Sequence, residues 1–319
     1  MTHYDVFNGD ADGLCALQQY RLAHPGHGML VTGVKRDIAL LERTPAGRDD
    51  HVLALDISVA ANRAALERLL ERGAKVEWFD HHLPGPLPQH PYFTAHIDTS
   101  PAVCTSLLMN HHLHGSHAEW AVVAAFGDNL GNSARQLADQ LELPQDHQTA
   151  LQTLGECLNY NAYGESVADL WFHPADLFKR LHPYTRPLDF IYADSAFTTL
   201  QAGFANDLAM AEALSPLEEN EHAAVWLLPD SAWSRRANGP FGNRLANRFP
   251  QRAHAILTPT AEDTLSVSVR APLSHPFGAA QLCQQFVHGG GREGAAGITR
   301  LPAAEIERFV RAFNARWPA

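Results

Sequence analysis

The first eighty residues alternate between short apolar runs and one segment of helical spacing, and this alternation restricts the fold more than any other feature. The helical segment, residues 59–74, repeats its apolar side chains every three or four positions and ends near Gly73, a residue type that often follows a helix. The short runs are HYDVFN at 3–8, MLVTGV at 29–34, HVLALDIS at 51–58 and KVEWFD at 75–80. Strand, helix and strand in this order predict crossover connections and therefore a parallel sheet.

The rest of the chain changes character twice. Residues 101–214 are mostly helical in pattern, and residues 186–214 are expected to form one long helix. Short apolar runs then return at 223–228, 253–258 and 264–271, with helical segments at 242–249, 278–287 and 303–316. We therefore predict the α/β class, with a parallel-sheet N-terminal domain at 1–185, a helical linker at 186–221 and a smaller α/β domain at 222–319.

Charge and hydropathy argue against a protein that binds long nucleic-acid duplexes and against a membrane-spanning protein. The net charge is −11 and the only lysines are Lys35, Lys75 and Lys179, whereas a groove for a long nucleic-acid duplex needs many basic side chains. A small anionic substrate held by a few arginines fits this balance better. No run of 18 apolar residues occurs, so no membrane span is expected.

The cysteines are scattered without a C-x-x-C pair, at positions 15, 104, 157 and 283. This pattern predicts reduced cysteines in the core of a cytoplasmic protein rather than a disulfide framework or a zinc site. The first residues carry Asp5, Asp10 and Asp12 instead of a basic segment followed by an apolar one, which argues against a secretory signal.

Acidic and imidazole residues follow the predicted strands: Asp10, Asp12, Asp56, Asp80, His81 and His82. Because the carboxyl ends of parallel strands share one edge of an open sheet, we expect these side chains to converge there. Asp128 follows the apolar segment 118–126 and is expected to reach the same edge.

Asp10 and Asp12 stand two positions apart among glycines, where their charges repel each other. A solvated turn is one explanation, since Asn, Gly and Asp are common turn residues. The converging acids, however, cannot all remain ionised unless cations neutralise them. Carboxylates mixed with imidazole favour Mn²⁺, or Mg²⁺, over a structural zinc ion. Two ions about 3.5–4 Å apart would lower the pKa of a bound water and stabilise a phosphoryl transition state.

Five motifs in this order resemble the DHH phosphoesterase superfamily with its DHH-associated C-terminal domain. They are NGDADG at 8–13, LALD at 53–56, DHH at 80–82, GDN at 127–129 and GGGREGAAG at 289–297. The motifs span nearly the whole chain, which makes a chance match to one short motif a poor explanation.

The resemblance implies a role for each residue of the first four motifs. Asp10 and Asp12 would ligate separate metal ions and Asp56 would bridge them, with His81 and Asp128 as further ligands. The resemblance also implies that His82 faces the scissile phosphate as hydrogen-bond donor or acid, while Asp80 orients the histidines.

Two positions depart from the pattern of the superfamily. Val6 and Asn8 stand upstream of the aspartates, where members commonly carry a histidine or a further acid. Asn8 would either bind a metal ion through its amide oxygen or leave that place to water, and the second case would weaken the binding of one ion. Arg292 replaces the histidine of the usual GGGH motif, and an arginine can still bind phosphate with two parallel hydrogen bonds.

The C-terminal domain is expected to hold the substrate through Arg270, Gly289, Gly290, Gly291 and Arg292. A tight turn without a ligand and a dinucleotide-binding G-x-G-x-x-G loop are the alternatives for the glycines, although no second dinucleotide-binding unit follows. Arg270 has the alternative of a surface arginine packed on the sheet. Residues 238–249 suggest a further anion site, at the start of a helix.

These expectations combine into a functional hypothesis. The chain is expected to be a cytoplasmic, Mn²⁺-dependent phosphodiesterase with two ions, or Mg²⁺ in their place. It would cleave short linear oligoribonucleotides or dinucleotides such as pGpG to mononucleotides, without binding long duplexes or membranes. A pAp phosphatase, a RecJ-type single-strand exonuclease and a nucleotide-sensing module without activity are the alternatives. A homodimer, the preferred base and the direction of cleavage are left open.

Overall fold

A computed structural model describes residues 1–260 and 263–318, and the chain divides into two compact units, Met1–Ala202 and Gly203–Ala319. The division falls inside the predicted linker. Unit 1 contains a sheet of five strands: β1 (His3–Phe7), β2 (Met29–Val31), β3 (His51–Leu55), β4 (Lys75–Asp80) and β5 (Phe93–Ile97). Their order is β2-β1-β3-β4-β5 and every neighbouring pair is parallel. The predicted α/β class and parallel sheet are therefore confirmed.

The described residues accompany this sheet with the helices α1 (Ala11–Ala23), α2 (Val59–Glu71), α3 (Thr105–His112), α4 (Ala118–Gly127), α5 (Gly131–Gln140), α6 (Gln145–Asn161), α7 (Pro174–Leu181), α8 (Pro187–Ala193) and α9 (Ser195–Glu212), the last of which continues into unit 2. Helix α2 buries Leu66 and Leu69 against one face of the sheet, together with Val52 and Val76 of the strands. Helix α4 is buried almost throughout, as its continuous apolar sequence predicts.

The single long helix expected at 186–214 is wrong, because two helices occupy this stretch. Asp194, between α8 and α9, has an extended backbone, and its carboxylate accepts a hydrogen bond from the backbone N–H of Ala196 at 2.7 Å. An aspartate followed by serine is a helix-start signal, and this local hydrogen bond competes with continuation of the helix.

Unit 2 contains a mixed sheet of β6 (Glu218–Glu219), β7 (Ala223–Leu227), β8 (Ala253–Pro259), β9 (Thr264–Arg270), β10 (Gly289–Gly291) and β11 (Ala295–Pro302). The order is β10-β11-β9-β8-β7-β6. Among the described strands of this unit, β7 and β8 pair in parallel and the other neighbours are antiparallel. Helices α10 (Ala232–Arg248), α11 (Ala279–Cys283) and α12 (Ile306–Arg316) accompany it. Phe309 and Phe313 of α12 are fully buried among the apolar side chains of the strands.

The anion site expected at the start of a helix near residues 238–242 is wrong. Helix α10 begins ten residues before the predicted start at 242, at Ala232, and Pro240 lies inside it. The backbone N–H groups near Gly242 therefore belong to the body of a helix and are not the free donors of an N-terminus. A glycine followed by a proline, Gly239 and Pro240, misplaced the predicted helix start, because tertiary packing of the buried Phe241 and Leu245 outweighs this local signal.

Two further expectations concern the cysteines and membrane spans, whereas the burial of one histidine was not predicted. All four cysteines are free and buried, as predicted. Among the helices formed by residues 1–260 and 263–318, none combines the length and apolar character that a membrane crossing requires. His254 on β8 is fully buried, and burial together with the nearby Arg252 lowers the pKa of its imidazole to about 4.

The neutral His254 makes the stability of unit 2 sensitive to acid. Below pH 6.5 the unfolded chain binds a proton at this histidine that the folded chain excludes, so stability falls until the pH reaches about 4. We expect His254→Leu to remove up to about 3 kcal/mol of this loss, compared by urea unfolding at pH 7 and near pH 4. His275→Leu, at an exposed position of the same unit, is the matched control and should leave the pH dependence unchanged. An equal acid loss in His254→Leu and wild type would contradict this account.

Candidate metal centre

The carboxyl edge of the five-stranded sheet carries the acidic cluster that the sequence predicts. Asp10 follows β1 and caps α1, Asp56 follows β3, Asp80 ends β4 and Asp128 follows α4. Asp56 has a φ of 57°, which is uncommon for a residue with a side chain and is often found at functional sites. The fold thus brings together acids that lie up to 118 positions apart in the chain.

Asp10 has partners on both carboxylate oxygens. Its Oδ1 accepts hydrogen bonds from the backbone N–H groups of Asp12 at 3.0 Å and Gly13 at 3.2 Å, which caps the start of α1. Its Oδ2 accepts a hydrogen bond from the ammonium of Lys35. Burial alone would raise the pKa of Asp10, but the Lys35 charge and these hydrogen bonds lower it below its ordinary value.

Asp12 is fixed by the first turn of α3. Its Oδ2 accepts from the backbone N–H of Thr105 and its Oδ1 from that of Ser106, both at 2.7 Å. The Ser106 hydroxyl donates to the backbone carbonyl of Asp12 at 2.8 Å. The start of a helix stabilises a carboxylate in this way, and each oxygen keeps a second lone pair for a ligand.

Asp56, His81 and Asp128 face one another. The Nε2 atom of His81 lies 3.5 Å from Asp56 Oδ1 and 3.8 Å from Asp128 Oδ2. The Nδ1 atom of His81 lies 3.0 Å from the carbonyl oxygen of Val103, an acceptor only, so Nδ1 carries the proton. The lone pair of Nε2 therefore points at the two carboxylates, as a metal ligand requires.

His82 is partly exposed and pairs with Asp80. Its Nδ1 donates to Asp80 Oδ1 at 2.6 Å, and the Asp80 carboxylate is fully buried while the His82 side chain is 44% exposed. Burial lowers the pKa of His82. The hydrogen bond to Asp80 and the negative charges of Asp80, Asp10 and Asp12 together outweigh burial, so the pKa lies above its ordinary value. Asp80 thus contacts His82, one of the two histidines that the resemblance implies it orients, whereas His81 is held by the Val103 carbonyl.

The cluster is too acidic to ionise fully on its own. Burial, followed by the charges of Asp12 and Asp10, raises the pKa of Asp56 well above its ordinary value. Burial also raises the pKa of Asp128, against the opposing effect of Lys35. A cation bound here would remove the cost of ionising these groups.

The residues fit a divalent cation. Within the described chain, two groups of side chains have ligand atoms close enough to share one ion: Asp12, His81 and Asp128, and Asp56, His81 and His82. The buried Asn8 Oδ1 and Asp80 Oδ2 atoms lack hydrogen-bond partners, and unpaired buried oxygens are costly unless an ion or water completes them. Carboxylate oxygens with one or two imidazoles suit Mn²⁺ or Mg²⁺.

Sequence reasoning missed Lys35, Thr105, Ser106 and Asn159. Lys35 Nζ accompanies Asp10, donates to Asn159 Oδ1 at 3.0 Å and lies 3.6 Å from Asp128 Oδ1. Thr105 Oγ1 donates to Asp56 Oδ1 at 3.2 Å. The scarcity of lysine in this chain is the signal that could have indicated Lys35, which lies in the loop after β2.

The residues expected to hold substrate lie together in unit 2. Arg270 ends β9, pairs in register with Ala295, and donates through Nε to Asn243 Oδ1 at 2.8 Å. The glycines at 289–291 form β10, and Arg292 begins the turn that leads to β11, with its side chain exposed. The structure therefore places Arg292 and the glycines at the same end of the sheet as Arg270.

Two of the three glycines have structural reasons of their own. A Cβ on Gly289 would overlap the carbonyl oxygen of Cys283, and Gly291 has a φ of 140° and packs against Ala296. A Cβ on Gly290 would meet open space. The tight-turn explanation thus accounts for Gly289 and Gly291, and Gly290 is the glycine that contact with a ligand could explain.

A cavity of about 720 Å³ lies away from this cluster. It is lined by residues at the amino ends of β1, β3 and β4, including Asp5, His51 and Glu77. The acids and histidines predicted from the sequence do not line it, and they occupy the opposite edge of the sheet.

Solved structures share this fold. One is exonuclease RecJ bound to manganese, with a TM-score of 0.66 and 18% identity over 98% of this chain and 89% of that chain. Another is PggH, a Vibrio pGpG-specific phosphodiesterase, with a TM-score of 0.58 and 11% identity over 99% of this chain and 98% of that chain. A third is an exopolyphosphatase-related protein from Bacteroides fragilis, with a TM-score of 0.51 and 11% identity over 99% and 91%.

No protein-family model and no curated protein sequence matches the chain. At identities of 18% and below, the likeness to the solved structures establishes the fold. The two-domain α/β architecture expected from the DHH resemblance is confirmed.

Proposed function

We propose that this chain is a DHH-type, divalent-metal-dependent phosphodiesterase that cleaves short linear oligoribonucleotides, including dinucleotides such as pGpG, to mononucleotides. The observation that carries the proposal is the convergence of Asp12, Asp56, Asp128 and the Nε2 atom of His81 at the carboxyl edge of the parallel sheet. Ligands of open α/β sheets bind at this edge. The manganese-bound RecJ structure and PggH, which share the fold, support both the metal and the phosphodiester substrate.

Asp12, Asp56, His81 and Asp128 are the side chains that would hold a divalent ion. Such an ion supplies a water of lowered pKa and an electrostatic partner for phosphoryl oxygens. The surrounding residues fix these four in place. The first turn of α3 orients Asp12, Thr105 orients Asp56, and the Val103 carbonyl fixes the tautomer of His81.

His82 supplies the proton-handling group in this proposal. Asp80 Oδ1 accepts a hydrogen bond from the Nδ1–H group of His82, with 2.6 Å between the two heavy atoms. The Nε2 atom of His82 is therefore the nitrogen left to contact substrate. A histidine held by a buried carboxylate can donate a proton or a hydrogen bond to a phosphoryl or leaving oxygen. Arg270 and Arg292 would bind a terminal phosphate of the substrate, since guanidinium groups pair with phosphate through two hydrogen bonds.

A substrate-length series tests the proposal. With Mn²⁺, we expect kcat/KM for pGpG to exceed that for a 20-nucleotide RNA by at least about tenfold, because a binding site built for one terminal phosphate favours short substrates. The measurement is release of mononucleotides from RNAs of 2, 5, 10 and 20 nucleotides, with EDTA as the metal-free control. A constant or rising kcat/KM with length would contradict the proposed specificity.

A RecJ-type single-strand exonuclease is the second candidate, favoured by the TM-score of 0.66 to a RecJ structure of which this chain covers 89%. The same series distinguishes the two. An exonuclease should degrade the 20-nucleotide strand progressively and at least as well as the dimer, and the single-stranded DNA analogue should also be cut.

A further inference from the structure

Lys35 occupies a position surrounded by oxygen atoms from three separate segments. Its Nζ atom contacts Asp10 Oδ2, donates to Asn159 Oδ1 at 3.0 Å and lies 3.6 Å from Asp128 Oδ1. Carboxylate and amide oxygens converging on one point are typical of a cation site. Here the cation is the ammonium group of the protein itself.

Lys35 is held in this position by contacts of both its backbone and its side chain. Its backbone N–H donates to the carbonyl oxygen of Ala162 at 2.9 Å, and its carbonyl accepts a hydrogen bond from Asn8 Nδ2 at 3.2 Å. The ammonium also lies 6.0 Å from the centre of the Tyr163 ring, at the edge of the range for a cation–π contact. Displacing it would break all of the contacts that its ammonium makes.

Asp10 is correspondingly committed. One oxygen accepts two backbone hydrogen bonds at the start of α1, and the other accepts the Lys35 ammonium. Upstream of it, Val6 is fully buried and has no donor atom to offer an ion. Among the described residues, neither group of side chains spaced to hold an ion includes Asp10.

Those two groups both depend on His81. The Nδ1 atom of His81 is committed to the Val103 carbonyl, so only Nε2 can bind an ion. One nitrogen lone pair ligates one ion, so the two groups are alternative descriptions of a single site.

We propose that Lys35 replaces one of the two metal ions that the DHH resemblance implies, so that this protein binds one divalent ion, at Asp12, Asp56, His81 and Asp128. This inference rests on the proposed metal-dependent function and specifies it further. The ammonium of Lys35 neutralises Asp10 permanently and would repel a second ion placed beside it.

Manganese stoichiometry tests the proposal without an activity assay. Titration calorimetry of the metal-free protein with Mn²⁺ should give one site in the wild type and a second site in Lys35→Met, which removes the charge and keeps the chain length. Electron paramagnetic resonance should show an isolated Mn²⁺ spectrum in the wild type and a spin-coupled pair in Lys35→Met. Lys75→Met, at an exposed position on β4, is the matched control and should bind one ion.

Each outcome bears on the proposal. Two ions of similar affinity in the wild type, or one ion in a folded Lys35→Met, would overturn the role of Lys35 while leaving the metal-dependent function standing. No bound ion in either protein would instead contradict the proposed function itself. Should Lys35→Met fail to fold by circular dichroism, Lys35→Gln provides the same comparison, and the wild-type count is decisive against the proposal if it is two.

Discussion

Asp56→Asn is expected to lower phosphodiester hydrolysis by more than about 100-fold. Losing a residue that only supports a metal ligand typically costs up to about 100-fold, and Asp56 is proposed as a ligand itself. Asp56 lies 3.5 Å from His81 Nε2 and its carboxylate is buried among other acids, so it is the charge that an ion would contact most directly. Asparagine keeps the shape and an oxygen but removes the negative charge, which weakens binding of a divalent ion.

The same substitution should not destabilise the metal-free protein. Because burial and neighbouring acids raise the pKa of Asp56, the folded chain retains a proton that the unfolded chain releases above the ordinary pKa of 3.8. Stability therefore falls as pH rises from 3.8 to the folded-state pKa, and the full cost remains at higher pH. Asparagine removes that cost. Wild type at Mn²⁺ about 100 times its Kd should gain about 2.7 kcal/mol from metal binding, a gain that Asp56→Asn should largely lose.

Thermal unfolding with EDTA and with Mn²⁺, alongside the hydrolysis assay, checks both parts of this prediction. Asp146→Asn, at an exposed position in the first turn of α6, removes an equal charge away from the cluster and is the control. A fully active Asp56→Asn, or one whose melting temperature still rises with Mn²⁺ as in wild type, would rule out Asp56 as a metal ligand.

His82→Ala is expected to lower kcat by about 100- to 10,000-fold while Mn²⁺ affinity stays within a few-fold of wild type. The reason is the division of labour between the adjacent histidines. His81 directs Nε2 at the carboxylates, whereas Asp80 holds the Nδ1 atom of His82 and leaves its Nε2 for substrate. The variant therefore removes a proton-handling group without removing a principal metal ligand.

Calorimetry with Mn²⁺ and steady-state hydrolysis of pGpG provide the two readouts. His81→Ala should lose Mn²⁺ affinity as well as turnover, and His111→Ala, at an exposed position of α3, should change neither. Loss of Mn²⁺ binding in His82→Ala equal to that in His81→Ala would assign His82 to the metal site, as one group of ligand atoms allows.

The sequence by itself determined four of the five strands of the parallel sheet and the place where its acids meet, but it did not predict β5. Residue alternation and helical spacing report local backbone geometry, and parallel strands bring their carboxyl ends to one edge regardless of the intervening loops. Asp10, Asp56 and Asp80 could therefore be placed together from the sequence, because each stands at or just after the end of a strand.

Sequence patterns failed at two helices for different reasons. The break at Asp194 and the extended helix α10 differ from expectation because a side-chain hydrogen bond in one case, and burial of Phe241 in the other, outweigh the propensities of neighbouring residues. Strand β11 was missed because AAGITRLP alternates poorly, and its pairing with β9 supplies the hydrogen bonds that its own pattern does not announce.

Only the tertiary structure decided what surrounds the acids. Lys35 meets Asn159, 124 positions away, and Asp12 meets Thr105 and Ser106, more than 90 positions away. These contacts depend on how loops and helices pack over the sheet edge, and no period or motif within a segment encodes that packing. The sequence could thus predict an acidic site that needs a cation, but only the packed chain shows that the ammonium of Lys35 lies beside Asp10.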